Sequence, residues 1–147
     1  MPVFESDVVV DAPPERAFEF LVRPANLLQV SPPEFKLKLL EAPERLQQGA
    51  RITFQGSKFG IPQKITNEVI AFEESVSFTD VQVSGPFARF EHRHRVETRG
   101  AGSRLVDRIE YEAPGGLVGL FLTNAKIREY LESLSAYRAE RFKELLR

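Results

Sequence analysis

The sequence predicts an α+β fold in which a sheet of about seven antiparallel strands is covered by one long helix. Three observations support this fold class. A valine-rich alternating segment opens the chain and is followed by two short helical segments. Six strand-like segments come next, separated by short turns that favour antiparallel neighbours. The final segment, residues 123–147, is helix-like and long enough to cover the apolar face of such a sheet.

The first three elements are recognised by alternation and by proline. VFESDVVVDA alternates as a strand does. Its predicted inward positions are Phe4, Ser6, Val8 and Val10. PPERAFEFLVRP predicts a short helix, because Pro14 suits a first helical turn and Pro24 ends the run. ANLLQVSPP predicts a second short helix and a loop.

Turn signals and periodicity define the other elements. The predicted strand segments are EFKLKLLEA, GARITFQGS, IPQKITNEVIAFEE, VSFTDVQVS, FARFEHRHRVETR and SRLVDRIEYEA. TNAKIREYLESLSAYRAERFKELLR predicts the long helix, with Thr123 or Asn124 as its N-cap. No repeat, linker or low-complexity segment divides the chain, so residues 1–147 are predicted to form a single domain.

The composition narrows the class of protein. The chain of 147 residues is 42% hydrophobic and 28% charged, which is ordinary for a globular protein. Its net charge of −1 favours neither nucleic acid nor an anionic membrane as a partner. It has no cysteine, which excludes disulfides and thiolate metal sites. The first residues do not resemble a signal peptide, and no apolar run approaches ~20 residues. We therefore expect a cytoplasmic protein without stable membrane insertion.

Both histidines of the chain are predicted to face the interior. His92 and His94 lie two residues apart, so they share one face of a strand. The opposite face is predicted to carry Phe87, Arg89, Glu91, Arg93, Arg95 and Glu97. Because these charges favour water, the histidines should point inward together with Phe90 and Val96.

Two acids are predicted to lie close to the histidines. In the last strand, Asp107 falls on the inward row, where an unpaired carboxylate is costly. That row consists of Leu105, Asp107, Ile109 and Tyr111. VSFTDVQVS allows two orientations: Phe78 inward with Asp80 and Gln82, or the valines and Thr79 inward. Hairpin geometry then puts Asp107 beside His94 or Val96, and Asp80 beside Phe90 or His92.

The long helix places an arginine within its apolar stripe. The stripe is formed by Ile127, Leu131, Leu134 and Leu145, with Phe142 slightly further round. At ~100° per residue, Arg138 lies near its centre. We predict that Arg138 crosses the interior to a carboxylate, either Asp107 or Asp80, in a bidentate pair.

These segments together resemble a known superfamily. FTDVQVSGPFARFEHRHRVE, LVDRIEYEAP and YLESLSAYR resemble a bacterial branch of the START-like, or SRPBCC, superfamily. The opening VVVDAPPERAFEFLVRPANLLQVSPP is similar to its polyketide cyclase/dehydrase and coenzyme Q-binding families. The resemblance implies a helix-grip fold, in which a seven-stranded antiparallel sheet wraps around the C-terminal helix and encloses a cavity. It also favours Phe78 and Asp80 inward. The family pattern often has tryptophan where this chain has Phe90.

The resemblance implies a function but does not fix it. Superfamily members carry lipids, quinones, hormones or polyketides, and some are enzymes. We expect this chain to bind, or to bind and transport, a small apolar or amphipathic ligand of this kind. The predicted ligand-binding residues are Phe78, Asp80, Gln82, Phe90, His92, His94, Asp107, Ile109, Tyr111, Leu131, Leu134 and Arg138. The alternative is a cyclase/dehydratase or hydrolase-like enzyme that uses His92, His94 and Asp107.

Two other interpretations of the inward cluster stay open. The cluster could be a satisfied polar network that only specifies the core. His-x-His with an aspartate also has the composition of a two-histidine, one-carboxylate metal site. A nearby arginine would repel a cation, so we expect no metal. No nucleotide-binding or nucleophile motif is present, and we expect no cofactor.

Two further segments are predicted near the mouth of the cavity in the resembled fold. QGSKFGIP predicts a hairpin tip. PGGLVGLFLT predicts either a mobile apolar lid or a loop packed against the start of the long helix. A third hypothesis is that a protein partner, whose identity is unknown, docks on this apolar run.

Overall fold

The sheet is antiparallel and contains the seven predicted strands. A computed structural model describes residues 1–58 and 61–147, so the centre of the predicted QGSKFGIP hairpin tip lies outside the described residues. The strands are β1 (Val3–Val10), β2 (Lys38–Glu41), β3 (Arg51–Lys58), β4 (Ile61–Glu73), β5 (Ser77–Ser84), β6 (Arg89–Arg99) and β7 (Gly102–Glu112). Their order across the sheet is β1-β7-β6-β5-β4-β3-β2. Hairpins join consecutive strands from β2 to β7, while β1 closes the far edge beside β7.

The α-helices are α1 (Pro14–Leu21), α2 (Gly116–Phe121) and α3 (Asn124–Leu145). The helices α1 and α3 were predicted, whereas the α2 segment was predicted as a lid or a loop. Thr123 is the N-cap of α3, and its hydroxyl accepts a hydrogen bond from the Lys126 backbone N–H at 3.3 Å. The predicted helix-grip, α+β arrangement is therefore confirmed.

The predicted second short helix and the following strand differ in detail. The second helix has 3₁₀ geometry over Pro24–Val30, and a further 3₁₀ turn covers Pro33–Phe35. The strand predicted from Glu34 therefore starts later, at Lys38. Lys36 adopts a left-handed conformation with φ 49°, which ends the turn and delays the extended backbone.

The core divides into two clusters along α3. The first lies around Phe18 of α1 and Phe142 near the end of α3. The second lies around Tyr111 of β7 and Ile127 at the start of α3. No α3 residue between Leu131 and Phe142 is fully buried, and this is where space remains between helix and sheet.

Within the described part of the chain, no helix is both long enough and apolar enough to span a membrane.

Candidate functional site

The register of β6 brings the histidines and the acids together. His92 and His94 are 7% and 9% exposed, so both point into the fold as predicted. His92 lies opposite Asp80 on β5, and His94 lies opposite Asp107 on β7. Both of these pairings are among the alternatives that hairpin geometry allowed.

The hydrogen bonds run diagonally rather than between directly opposite residues. His92 Nε2 lies 2.7 Å from Asp107 Oδ1, and His94 Nε2 lies 2.8 Å from Asp80 Oδ2. The imidazole rings stack with their centroids 3.7 Å apart, and Phe78 stacks on His94 at 4.1 Å. Each aspartate thus holds one ring of a stacked column in a fixed orientation.

Charge in this network favours ionised acids and an uncharged His94. Burial disfavours the ionised form of Asp80, but the hydrogen bond from His94, together with the charge of Arg138, outweighs burial and lowers the Asp80 pKa. Burial also opposes ionisation of Asp107, but the hydrogen bond with His92 outweighs burial, so the Asp107 pKa is lowered. For His94, burial and then repulsion from His92 lower the pKa below its ordinary value.

This network predicts that stability depends on pH through His94. Because its pKa is lowered in the folded protein, the unfolded chain, with a histidine pKa of about 6.5, takes up the proton first as the pH falls. We therefore expect the free energy of unfolding to decrease from pH 7 to pH 5. The variant His94→Gln cannot titrate there, and its stability should change less. Urea denaturation at pH 7, 6 and 5 measures both proteins.

Acid below pH 4 provides an internal control for this prediction. The lowered Asp107 pKa adds stability that is present above the unfolded value of about 3.9 and is lost as the pH falls below it. Both proteins should lose that contribution. Equal losses in wild type and His94→Gln between pH 7 and pH 5 would contradict the role assigned to His94.

Arg138 does not form the predicted ion pair. No carboxylate of the described residues lies within 4.0 Å of its guanidinium, although its charge acts on both Asp80 and Asp107. Its Cζ lies 5.4 Å from the centroid of the Phe142 ring, and its buried Nε has no hydrogen-bond partner. The reason is geometric: each acid is already hydrogen-bonded to a histidine, and the guanidinium stacks on Phe142 of its own helix.

A cavity lies between this network and residues of the 3₁₀ segments, β3 and α3. Its volume is about 170 Å³. The predicted residues that line it are Phe78, Asp80, Phe90, His92, His94, Ile109, Leu131, Leu134 and Arg138. Asp107 lines a smaller adjoining space of about 30 Å³, together with Ser6 and Ser135. The two spaces share six lining residues, which are His92, Ile109, Leu131, Leu134, Arg138 and Phe142.

Two of the predicted site residues lie outside both spaces. The side-chain amide of Gln82 makes two hydrogen bonds within the β5–β6 turn. Its Nε2 donates to the Phe87 carbonyl at 2.8 Å, and its Oε1 accepts from the Phe87 backbone N–H at 3.4 Å. Phe87, predicted to face outward, is consequently buried, because it belongs to this turn and not to the alternating strand. Tyr111 packs in the core, and its hydroxyl lies 3.5 Å from the Asn124 carbonyl.

Sequence reasoning missed the opposite wall and one polar residue. The opposite wall includes Leu27, Val30, Phe35, Ile52 and Phe54. Asn67 of β4 also lines the cavity, and its Nδ2 donates to Asp80 Oδ1 at 3.1 Å. The sequence did contain a signal for Asn67. This polar residue lies between Ile65 and Val69 on a buried row of β4, just as Asp107 lies on the inward row of β7.

The predicted lid segment forms a short exposed helix. Four apolar side chains of α2 face solvent, and none of them lines the cavity. They are Leu117, Val118, Leu120 and Phe121. Leu122, in contrast, is buried against the core. Neither closure over the cavity nor docking of a partner is established by this arrangement, and both stay predictions.

Known protein families and solved structures resemble this chain. The family model for polyketide cyclase / dehydrase and lipid transport matches residues 1–147. The chain belongs to this family. The predicted START-like membership is thus confirmed. No curated protein matches the sequence.

Solved structures share the fold of this polyketide cyclase / dehydrase and lipid transport family member. A START superfamily protein from Mycobacterium smegmatis is 14% identical, with a TM-score of 0.76, and 98% of this chain and 96% of that chain are covered. The protein TTHA0849 from Thermus thermophilus is 23% identical, with a TM-score of 0.71. The match covers 95% of this chain and 96% of that chain. Major latex-like protein 151 from Panax ginseng is 17% identical, with a TM-score of 0.67 and coverage of 95% and 95%.

The residues that could hold a metal in this family member are already hydrogen-bonded. Asp80, His92 and His94 offer ligand atoms within 4.8 Å of one another. Both histidines, however, use Nε2 for an aspartate, and the positive charge of Arg138 acts on the same acids. A cation would have to compete with these interactions, so the absence of a metal stays our prediction.

Proposed function

We propose that this protein binds a small apolar or amphipathic molecule in the cavity between α3 and the sheet. The observation that carries the proposal is the composition of the cavity wall. Aromatic and aliphatic side chains form most of it, while Asp80, His92, His94 and Arg138 converge at one side. Mostly apolar walls with a few convergent polar groups are typical of small-molecule sites. The family description, which includes lipid transport, supports the same class of ligand.

The volume of the cavity indicates the size of the ligand. A dry cavity of about 150 Å³ accommodates benzene, and this one measures about 170 Å³. Lining residues of the first 3₁₀ segment, such as Asn26 and Leu27, are only half-buried, so this end of the cavity faces solvent. A compound of one or two rings can therefore fit, with part of it towards the opening.

A fluorescent two-ring compound tests the proposal directly. The chain has no tryptophan, so the emission of 2-acetylnaphthalene can be followed with little interference from the protein. We expect saturable binding with a micromolar dissociation constant. Native mass spectrometry of the gently purified protein should also show a co-purifying small molecule. Absence of both signals would overturn the proposal.

A second candidate function is proton transfer within the same cavity. The short hydrogen bond between His92 and Asp107 is the observation that favours it, since a carboxylate orients and tunes a histidine base. Cyclases and dehydratases often begin by removing a proton next to a carbonyl group. In D₂O, the protein should then accelerate deuterium incorporation into the acetyl group of 2-acetylnaphthalene. Equal exchange rates with wild type and His92→Gln would contradict this function.

A further inference from the structure

We propose that Arg138 selects ligands whose polar end is a neutral hydrogen-bond acceptor, such as a ketone or ester carbonyl, over ligands that carry a carboxylate. This inference rests on the proposed ligand-binding function and names the chemical class of the ligand. It concerns a side chain that lines both spaces of the site and whose buried Nε has no hydrogen-bond partner in the described part of the chain.

The unused donors of Arg138 call for an acceptor. A guanidinium carries five N–H donors and no acceptor. Here the guanidinium contacts the Phe142 ring, and its buried Nε donates to no described residue. A buried donor without a partner costs free energy, and a hydrogen bond to a charged group is among the stronger ones. An acceptor atom on a bound ligand can take this bond, because the cavity extends to Arg138.

The charge around Arg138 argues for a neutral acceptor. The groups that face it are Asp80 from β5, His92 and His94 from β6, and Asp107 from β7. Both aspartates have a lowered pKa, so they are ionised at neutral pH. Around Arg138, the two carboxylates outnumber the one guanidinium. A ligand carboxylate would add a third negative charge beside Asp80 and Asp107.

The other elements around Arg138 do not change this balance. From β4, Asn67 contributes an uncharged amide, and from α3, Tyr130 contributes a phenol whose burial raises its pKa. From β1, Asp7 also lines the smaller space, and its carboxylate is paired with Arg104 at 2.7 Å. Arg23 also lines the cavity, but its guanidinium is paired with Glu19 at 2.8 Å. None of these groups therefore supplies an unpaired positive charge for an anion.

Three probes of nearly equal shape separate the contributions. They are 2-acetylnaphthalene with a neutral carbonyl, 2-isopropylnaphthalene with no acceptor, and 2-naphthoate with a carboxylate. At pH 8, we expect the ketone to bind about tenfold more tightly than either of the others. Arg138→Met should weaken ketone binding about tenfold and leave the isopropyl compound within about twofold. Isothermal titration calorimetry measures each dissociation constant.

Two further variants keep the result interpretable. Arg138→Lys retains the charge and a point donor, so it should keep part of the preference for the ketone even where Arg138→Met folds poorly. Lys143→Met removes an exposed charge of α3 outside the cavity and should change nothing. Tightest binding of naphthoate, or equal weakening of all three probes by Arg138→Met, would overturn this inference. Failure of every probe to bind wild type would instead overturn the ligand-binding proposal itself.

Discussion

Replacing Phe78 with alanine is expected to lower the free energy of unfolding by about 3–5 kcal/mol. The Phe78 side chain is only 3% exposed and packs edge-on against Phe18, with ring centroids 6.0 Å apart. It also stacks on His94, so its loss leaves a void on one side of the histidine column. Since folded domains are stable by roughly 5–15 kcal/mol, a change of this size threatens the fold itself.

Urea denaturation compares this variant with one that changes the same residue type at the surface. Phe121 of α2 is 73% exposed, and Phe121→Ala should alter the free energy of unfolding by less than about 0.5 kcal/mol. A loss below about 1 kcal/mol for Phe78→Ala would show that Phe78 is not part of a packed column.

Filling the cavity should abolish ligand binding while the protein still folds. Leu134 of α3 lines both spaces of the site, and a tryptophan at this position would occupy much of the 170 Å³ cavity. We expect Leu134→Trp to weaken binding of 2-acetylnaphthalene at least about a hundredfold. Overpacking should cost about 1–3 kcal/mol of stability, which a folded domain can tolerate.

Leu117→Trp is the matched control for this variant. Leu117 is 78% exposed on α2 and lines neither space, so the same substitution there should leave the affinity unchanged. Calorimetry is preferred here because both variants introduce indole emission. Normal binding by a folded Leu134→Trp protein would place the ligand elsewhere. Loss of binding in Leu117→Trp would instead give α2 a direct part in binding.

The local pattern of charge predicted the strands well. The charges at Arg89, Glu91 and Arg93 led to the prediction that His92 and His94 face inward. The register of β6 with β5 and β7 agrees with that prediction. Phe78 and Asp80 also share the inward face. These predictions succeed because a strand alternates strictly, so a few residues on one face determine the other.

Interactions that depend on three-dimensional geometry were less predictable. Each histidine is hydrogen-bonded to the aspartate diagonally across from it, His92 to Asp107 and His94 to Asp80. This choice follows from side-chain rotamers, which the strand register does not specify. The rotation of α3 about its axis, relative to the sheet, decides what Arg138 contacts. In this rotation the Arg138 guanidinium does not reach the carboxylates of Asp80 and Asp107. The wall formed by the 3₁₀ segments depends on how the sheet curves around them. None of these features repeats with a period that a sequence displays.

A crystal structure of the protein saturated with 2-acetylnaphthalene would test the central claim most directly. We predict the two rings between Leu131 of α3 and Phe54 of β3, with the carbonyl oxygen about 3 Å from the guanidinium of Arg138. The column of His92 and His94 should border the same space. Electron density for the probe only on the surface, with ordered water throughout the cavity, would contradict the claim that this cavity is the binding site.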